Sequence, residues 1–198
     1  MKFKDIPGAT PLDEELLRGL VPNLTTQGEL NEFEEKNIAD AIGWASSSRK
    51  LKQNLLAVSG LIMLHKKMFE QTWIWAGQFR TRETNIGVAP HRIQTDLVIL
   101  LGNVEYWLKN KTFAVDEIAI RFHHRLVLIH PFPNGNGRFS RLATDLLLEF
   151  NRHEKFKWGL QDLAHTTQDR ELYLKALRLA DRADDYLELL KFAKGAQE

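Results

Sequence analysis

His130-Pro131-Phe132-Pro133-Asn134-Gly135-Asn136-Gly137-Arg138-Phe139-Ser140-Arg141 sets a titratable imidazole, a glycine-punctuated turn and two arginines side by side. Gly135 and Gly137 allow backbone conformations that aim successive N–H groups inward, the makings of an anion-binding concavity. A helix starting near Gly137 would add its own unpaired N–H groups and the positive end of its dipole. Arg138 and Arg141 stand three apart, so on a helix they share a face and can grip two phosphates together. Unperturbed, His130 titrates at about 6.5 and suits proton abstraction near neutral pH. The chemistry indicated is a nucleotide phosphate attacked by a hydroxyl that His130 deprotonates. An ordinary interhelical loop bearing two arginines is the competing reading.

Helices must hold such a loop from both sides. Ile118, Phe122, Leu126 and Ile129 predict an amphipathic helix over 115–129, and Phe139, Leu142, Ala143, Leu146 and Leu147 resume the period beyond the loop. Pro131 and Pro133 support the break between them. Nearly everything else reads as helix: 11–20, closed by a Pro22-Asn23 turn, then 51–69, 94–108, 169–180 and 183–193. Thr25 or Thr26 is placed to cap a helix in between, with Glu29 as the reciprocal partner and Phe33, Ile38, Ala41, Ile42 and Ala45 as its apolar stripe. Trp75-Ala76-Gly77-Gln78-Phe79-Arg80 and the stretch from Thr84 to Ile93 lack that period; their Gly, Asn and Pro suit a short extended hairpin. Trp73 and Trp75 read as core. The expected fold class is all-α with one hairpin, as a single domain over 1–198.

The loop resembles the signature of the Fic (Fic/Doc) family, His-x-Phe-x-Asp/Glu-Gly-Asn-Gly-Arg-x-x-Arg. His130, Phe132, Gly135, Asn136, Gly137, Arg138 and Arg141 match, and Asn134 departs. The resemblance implies a Fic-type helical bundle, with a family core near 51–150 and flanking helices packed on it. It also implies a protein adenylyltransferase that moves AMP from ATP to a Ser, Thr or Tyr hydroxyl of a target protein. By the same resemblance His130 is the general base, Gly135, Asn136 and Gly137 form the phosphate nest, and Arg138 and Arg141 clamp the phosphates. The family's acid at position 134 coordinates magnesium on the nucleotide. Asn134 offers a neutral oxygen instead, a weaker ligand for Mg2+ or Mn2+, which makes it a weak metal candidate. Phosphotransferases of the Doc type carry Lys where this chain has Arg138.

Fic proteins have a comparable Trp-Ala-Gly-x-Phe/Tyr-Arg run leading into a β-hairpin flap that pairs with the target segment. The resemblance makes Ile86, Gly87, Val88, His91 and Ile93 the candidate docking flap. Many members are inhibited by a glutamate, in Ser/Thr-x-x-x-Glu-Gly/Asn, that pairs with the second motif arginine. Thr25…Glu29 and Thr167…Glu171 have the first spacing, yet Leu30 and Leu172 end them. Glu29 therefore reads first as a cap residue and second as an inhibitory one, with an antitoxin-like protein able to supply such a glutamate in trans. More narrowly, Thr25-Thr26-Gln27-Gly28-Glu29-Leu30-Asn31 and the Asn134-containing motif resemble the branch called mobile mystery protein B, which implies a helix-turn-helix partner.

Composition narrows the classes. With 198 residues, a formal charge of +1 and no cysteine, the chain has length for a real core and no basic excess for nucleic acid or anionic membrane; it also lacks thiol chemistry. No apolar run reaches transmembrane length, so a cytoplasmic protein is expected. His123 and His124 cannot both face one metal, and one of them is expected to pack near the site. His65, His91, His153 and His165 read as surface or satisfied core histidines, His91 keeping an interest for its place on the flap. Two function classes stay open beside AMP transfer: a nucleotide-binding interaction or toxin–antitoxin-like protein without turnover, and transfer of phosphocholine, UMP or phosphate.

Overall fold

Hydroxyl side chains start the first long helices of the protein, seen here in a computed structural model that describes residues 14–158 and 167–195. Thr26 caps α2 (Gln27–Ser47): its oxygen accepts from the Glu29 N–H, and the Glu29 carboxylate accepts from the Thr26 N–H, giving the expected capping box. Ser48 then caps α3 (Arg49–Asn54) by accepting from the Leu51 N–H. Ahead of these lies α1 (Glu14–Leu17); the start of the helix expected over 11–20 is outside the described residues. Helices α4 (Val58–Phe69), α5 (Ile93–Asn110), α6 (Val115–Ile129), α7 (Asn136–Phe150), α8 (Thr167–Ala183) and α9 (Leu187–Lys194) follow. No strand occurs among the described residues, where one antiparallel bridge joins Leu20 to Trp73. No helix among them is long and apolar enough to cross a membrane.

Helices α6 and α7 lie against each other, α5 and α9 flank α6, α4 packs on α7, and α2 spans α4 and α7. The stripes read from the sequence are the ones that meet: Ile118, Phe122, Leu126 and Ile129 on α6, and Phe139, Leu142, Ala143, Leu146 and Leu147 on α7 are all buried. Full burial of each such large side chain contributes about 1.5–3 kcal/mol. The long helix expected over 51–69 is broken at 55–57. A Cβ on Gly60 would sit 1.8 Å from the Asn54 carbonyl oxygen, so the glycine is what lets α3 run so close to the first turn of α4.

Two expectations change. The buried face of α2 is Leu30, Glu34, Asn37, Ala41 and Ala45, while Ile42 is 40% exposed. Glu34 and Asn37 occupy inward positions because partners meet them: Trp73 Nε1 donates to Glu34 Oε1 at 2.7 Å, and Asn37 Nδ2 donates to Thr72 Oγ1 at 2.9 Å. The other change is the flap. Residues 81–89 form no ladder and end in a 3-10 turn, Pro90–Arg92. The carbonyls of Arg82 and Val88 accept from the Arg80 guanidinium, and that of Ile86 accepts from Thr84 Oγ1 at 2.5 Å. Backbone groups that a hairpin would pair across its strands are thus already bonded. Ile93 is wholly buried as the first residue of α5, so it is core and no docking edge.

Candidate active site

The chain leaves α6 through His130, which adopts a left-handed conformation (φ 53°, ψ 60°) and closes the helix by donating its N–H to the Leu126 carbonyl. Gly135 turns it back at φ 78°, and α7 begins at once. A Cβ on Gly135 would lie 2.5 Å from the Phe69 ring, so conformation and space both require glycine there. Asn136 staples the loop from inside: its Oδ1 accepts from the Phe132 N–H at 2.9 Å and its Nδ2 donates to the Phe132 carbonyl at 2.7 Å. Gly137 is already helical, and a Cβ there would meet only Arg141 Nη1, at 3.9 Å. Its contribution is openness over the first N–H groups of α7.

His130 is 9% exposed, and burial, with Arg80 adding to it, pulls its imidazole down to about 4. The ring is therefore neutral at neutral pH. Its Nδ1 approaches the Val127 carbonyl at 3.4 Å, a contact only a protonated Nδ1 can make, which leaves Nε2 as the basic nitrogen. Arg80 braces the same corner. Its Nε donates to the His130 carbonyl at 2.6 Å and its Nη atoms to the carbonyls of Ile129, Arg82 and Val88. The Gly77–Arg80 end of the tryptophan run is thereby fixed to the end of α6. Its closing arginine was visible in the sequence, but nothing local showed which carbonyls it would hold.

His65 forms the second brace. Wholly buried on α4, it accepts from the Gly77 N–H through Nδ1 at 3.0 Å and reaches the Asn134 carbonyl through Nε2 at 3.1 Å. A donor at Nδ1 and an acceptor at Nε2 fix one tautomer, with the proton on Nε2. Burial pulls this imidazole down to about 3, and it stacks on Phe132 at 3.6 Å between ring centres. The expectation of a satisfied core histidine holds, and the groups that satisfy it belong to the motif loop and the tryptophan run.

Arg138 and Arg141 project from the start of α7 and meet different surroundings. Arg138 Nη1 pairs with Glu34 Oε2 at 2.8 Å, with its guanidinium 5.1 Å over the Phe69 ring. Sequence reasoning missed Glu34; the spacing Leu30, Glu34, Asn37, Ala41, Ala45 was the signal, and its polar members hid it. Arg141 turns to the other side, toward Tyr173, His123 and Asp145. Glu29 is bonded at its cap, accepting from the N–H groups of Thr25 and Thr26, whose bonds hold its carboxylate below the usual range. It does not meet a motif arginine. Glu171 is exposed.

Asn134 Oδ1 accepts from the Gly135 N–H at 2.5 Å. The site thus offers a hard cation one neutral, already bonded oxygen, and Glu34 is engaged by Arg138 and Trp73. Among the described residues no cluster of three His, Cys, Asp or Glu could hold a metal ion. These side chains do not fit a protein-held Mg2+ or Mn2+ site. On the flap, Ile86 and His91 are exposed, Val88 is half-buried, and Gly87 (φ 128°) approaches so closely that a Cβ would lie 2.8 Å from that of His130. His123 and His124 are both buried, bonding Tyr173 at 2.9 Å and Asp181 at 2.8 Å. His153 is exposed, while His165 and the Thr167 side chain lie outside the described residues.

Fold and site together define an all-helical protein with an open helix N-terminus, two arginines beside it and a neutral histidine at its lip. Residues 55–148 match the model of the Fic/DOC family, and the chain carries a Fic/DOC domain. It is 29% identical over 137 residues to a protein adenylyltransferase Fic of Aedes aegypti, covering 67% of this chain and 26% of that protein. The chain spans about a quarter of the length of the curated relatives it matches. Its fold is that of a Fic domain containing signaling protein from Bacteroides thetaiotaomicron (TM-score 0.68, 19% identity, 87% of this chain and 70% of that one). It is also that of the BepC protein of Bartonella tribocorum with bound AMPPNP (TM-score 0.65, 18% identity, 92% and 97%).

Proposed function

We propose that this protein transfers AMP from ATP to a hydroxyl of a target protein, with His130 as general base. The observation that carries the reading is the convergence on one helix N-terminus of a neutral imidazole, with Nε2 basic, and two arginines. The N-terminus of α7, without a side-chain cap, suits a phosphate, and Arg138 and Arg141 supply charge on either side of it. The target oxygen attacks the α-phosphorus, the bond to the bridging oxygen breaks, pyrophosphate departs, and the hydroxyl proton passes to His130 Nε2. Because burial lowers the basicity of His130, that proton moves as the P–O bond forms rather than beforehand. The exposed Ile86 and His91, on the segment whose Gly87 lies against His130, suit contact with the target segment. Relatives named protein adenylyltransferase and a fold neighbour holding AMPPNP support ATP as donor. The narrower kinship with mobile mystery protein B, its helix-turn-helix or antitoxin-like partner and a cytoplasmic setting belong to the same proposal.

A second reading, nucleotide binding with little turnover, draws on two observations: Asn134 in place of an acid, and Glu34 already paired with Arg138. Intact-mass spectrometry after incubation with ATP and magnesium or manganese tests the first reading. A gain of AMP on the protein, absent from His130→Ala, is the expected result. A gain that persists in His130→Ala would overturn the base assignment, and a gain of phosphate would change the reaction class. ATP binding without product, with product restored by Asn134→Glu, would favour the second reading. Tighter ATP binding in Glu34→Gln would show that the pair competes with nucleotide.

A further inference from the structure

Helix α8 lies beyond the 55–148 match, yet it reaches the second motif arginine. Tyr173, buried on α8, stands against the Arg141 side chain, and its hydroxyl lies 2.9 Å from His123 Nε2 on α6. These contacts have one possible direction. A guanidinium only donates, so the Tyr173 oxygen accepts from Arg141 and its single proton goes to His123. His123 must then present a bare Nε2 and carry its proton on Nδ1. That nitrogen is buried, faces the Ser140 carbonyl and lacks a well-formed hydrogen bond. Burial and the neighbouring Arg141 hold the His123 imidazole down to about 3, and burial pushes the Tyr173 phenol up to about 12, so both groups keep these protonation states across the working range. Trp158 stands over the His123 ring at 4.4 Å between centres and Phe192 of α9 backs Tyr173 at 5.5 Å, which locks the phenol in place.

Resting on the nucleotide reading above, we propose that Tyr173 is a positioning residue for Arg141, which makes the C-terminal helix α8 a working part of the phosphate clamp. Arg138 takes its orientation from the N-terminal side through Glu34, and Arg141 takes its own from the C-terminal side through Tyr173 and His123. The unmet bond at His123 Nδ1 fits this role. The imidazole sits where it can aim the phenol, at the cost of its own second hydrogen bond.

Tyr173→Phe keeps the ring and its packing and removes only the hydroxyl. Isothermal titration of ATP into wild type, Tyr173→Phe, Arg141→Ala and the double variant gives the test. The expected result is ATP affinity weakened about five- to tenfold by Tyr173→Phe, the scale of one hydrogen bond to a charged group. In the Arg141→Ala background the same change should have no further effect. Leu177→Ala, equally buried on α8 without a polar atom, should lower the melting temperature and leave ATP affinity unchanged. Equal affinities for wild type and Tyr173→Phe, or additive losses in the double variant, would overturn the proposal and leave the nucleotide reading standing. A wild type that does not bind ATP would sink both. Should Tyr173→Phe not fold, the chain has three tyrosines to label for NMR. ATP should then shift the Tyr173 ring signal in wild type and not in Arg141→Lys, with exposed Tyr106 unmoved; a Tyr173 signal insensitive to ATP would overturn the proposal.

Discussion

The loop at 130–137 and the segment at 80–92 meet over His130 and are built on opposite plans. The loop is closed from within: Asn136 bonds both backbone groups of Phe132, four residues away, and Gly135 makes the turn. The flap has little such internal order. The Arg80 guanidinium bonds carbonyls at 82, 88, 129 and 130, and the Arg80 and Val88 N–H groups donate to the carbonyls of Pro131 and Ile129, which ties it to the end of α6. A structure held by short-range bonds should lose stability in steps as its members are removed. One held largely by a single cation should lose most of its hold at once.

Arg80→Met breaks the comparison at its most exposed point. The substitution removes four N–H donations at once, including that to the buried His130 carbonyl, where an unsatisfied group is costly. We expect a loss of about 3 kcal/mol or more in urea unfolding, with transfer activity lost as well. Arg80→Lys should recover little, because one ammonium cannot reproduce the planar fork. Stability within about 0.5 kcal/mol of wild type would show that the flap holds itself.

Asn136→Ala is the matching change in the loop. It removes a donor and an acceptor together, so about 2 kcal/mol should be lost. Asn136→Asp should not restore it, since a carboxylate cannot donate to the Phe132 carbonyl. The flap should stay in place, which protection of the Val88 amide from hydrogen exchange would report.

This contrast also explains what could be read from the sequence. Loop, helix caps and the stripes of α6 and α7 were legible because their determinants lie within a few residues of one another. Gly135, Asn136 and the Thr26–Glu29 box are of that kind. The hairpin was misread because Arg80's partners lie up to fifty residues away, and no local pattern reports carbonyls already taken. Glu34 was missed for a related reason: a carboxylate on an inward face looks like an error until Trp73 and Arg138 arrive from other helices. His65 reads from the sequence as a surface or satisfied core ring and His123 and His124 as a pair unable to face one metal, but the groups each meets are set by tertiary contact.

A pH series sharpens the comparison at the residue that touches both regions. In the folded protein His65, His123 and His130 are held down to about 3, 3 and 4, whereas the unfolded chain protonates its histidines near 6.5. Between those values the unfolded state binds more protons, so stability rises with pH there. It should be fully present above about 6.5 and fall as the pH drops toward 4, by on the order of 1 kcal/mol per pH unit for each histidine. Unfolding midpoints from pH 7.5 to 5 in wild type and His65→Gln test this. The variant should show the shallower slope, and a midpoint independent of pH would mean that these rings are not held neutral.

The smallest effect is the most selective. Gly135 and Gly137 look alike in the motif and differ in the fold. Gly135→Ala places a methyl group 2.5 Å from Phe69 at positive φ and should cost about 2 kcal/mol. Gly137→Ala fills open space on a helix and should stabilise the protein by about 0.5–1 kcal/mol. Its methyl group would nevertheless stand beside Arg141 over the first N–H groups of α7, where a phosphate would approach. We therefore expect Gly137→Ala to raise the melting temperature slightly while weakening ATP binding, two readouts moving in opposite directions. If ATP bound equally well to that variant, the open N-terminus of α7 would not be where the phosphates sit, and the glycines of the loop would serve its turn alone.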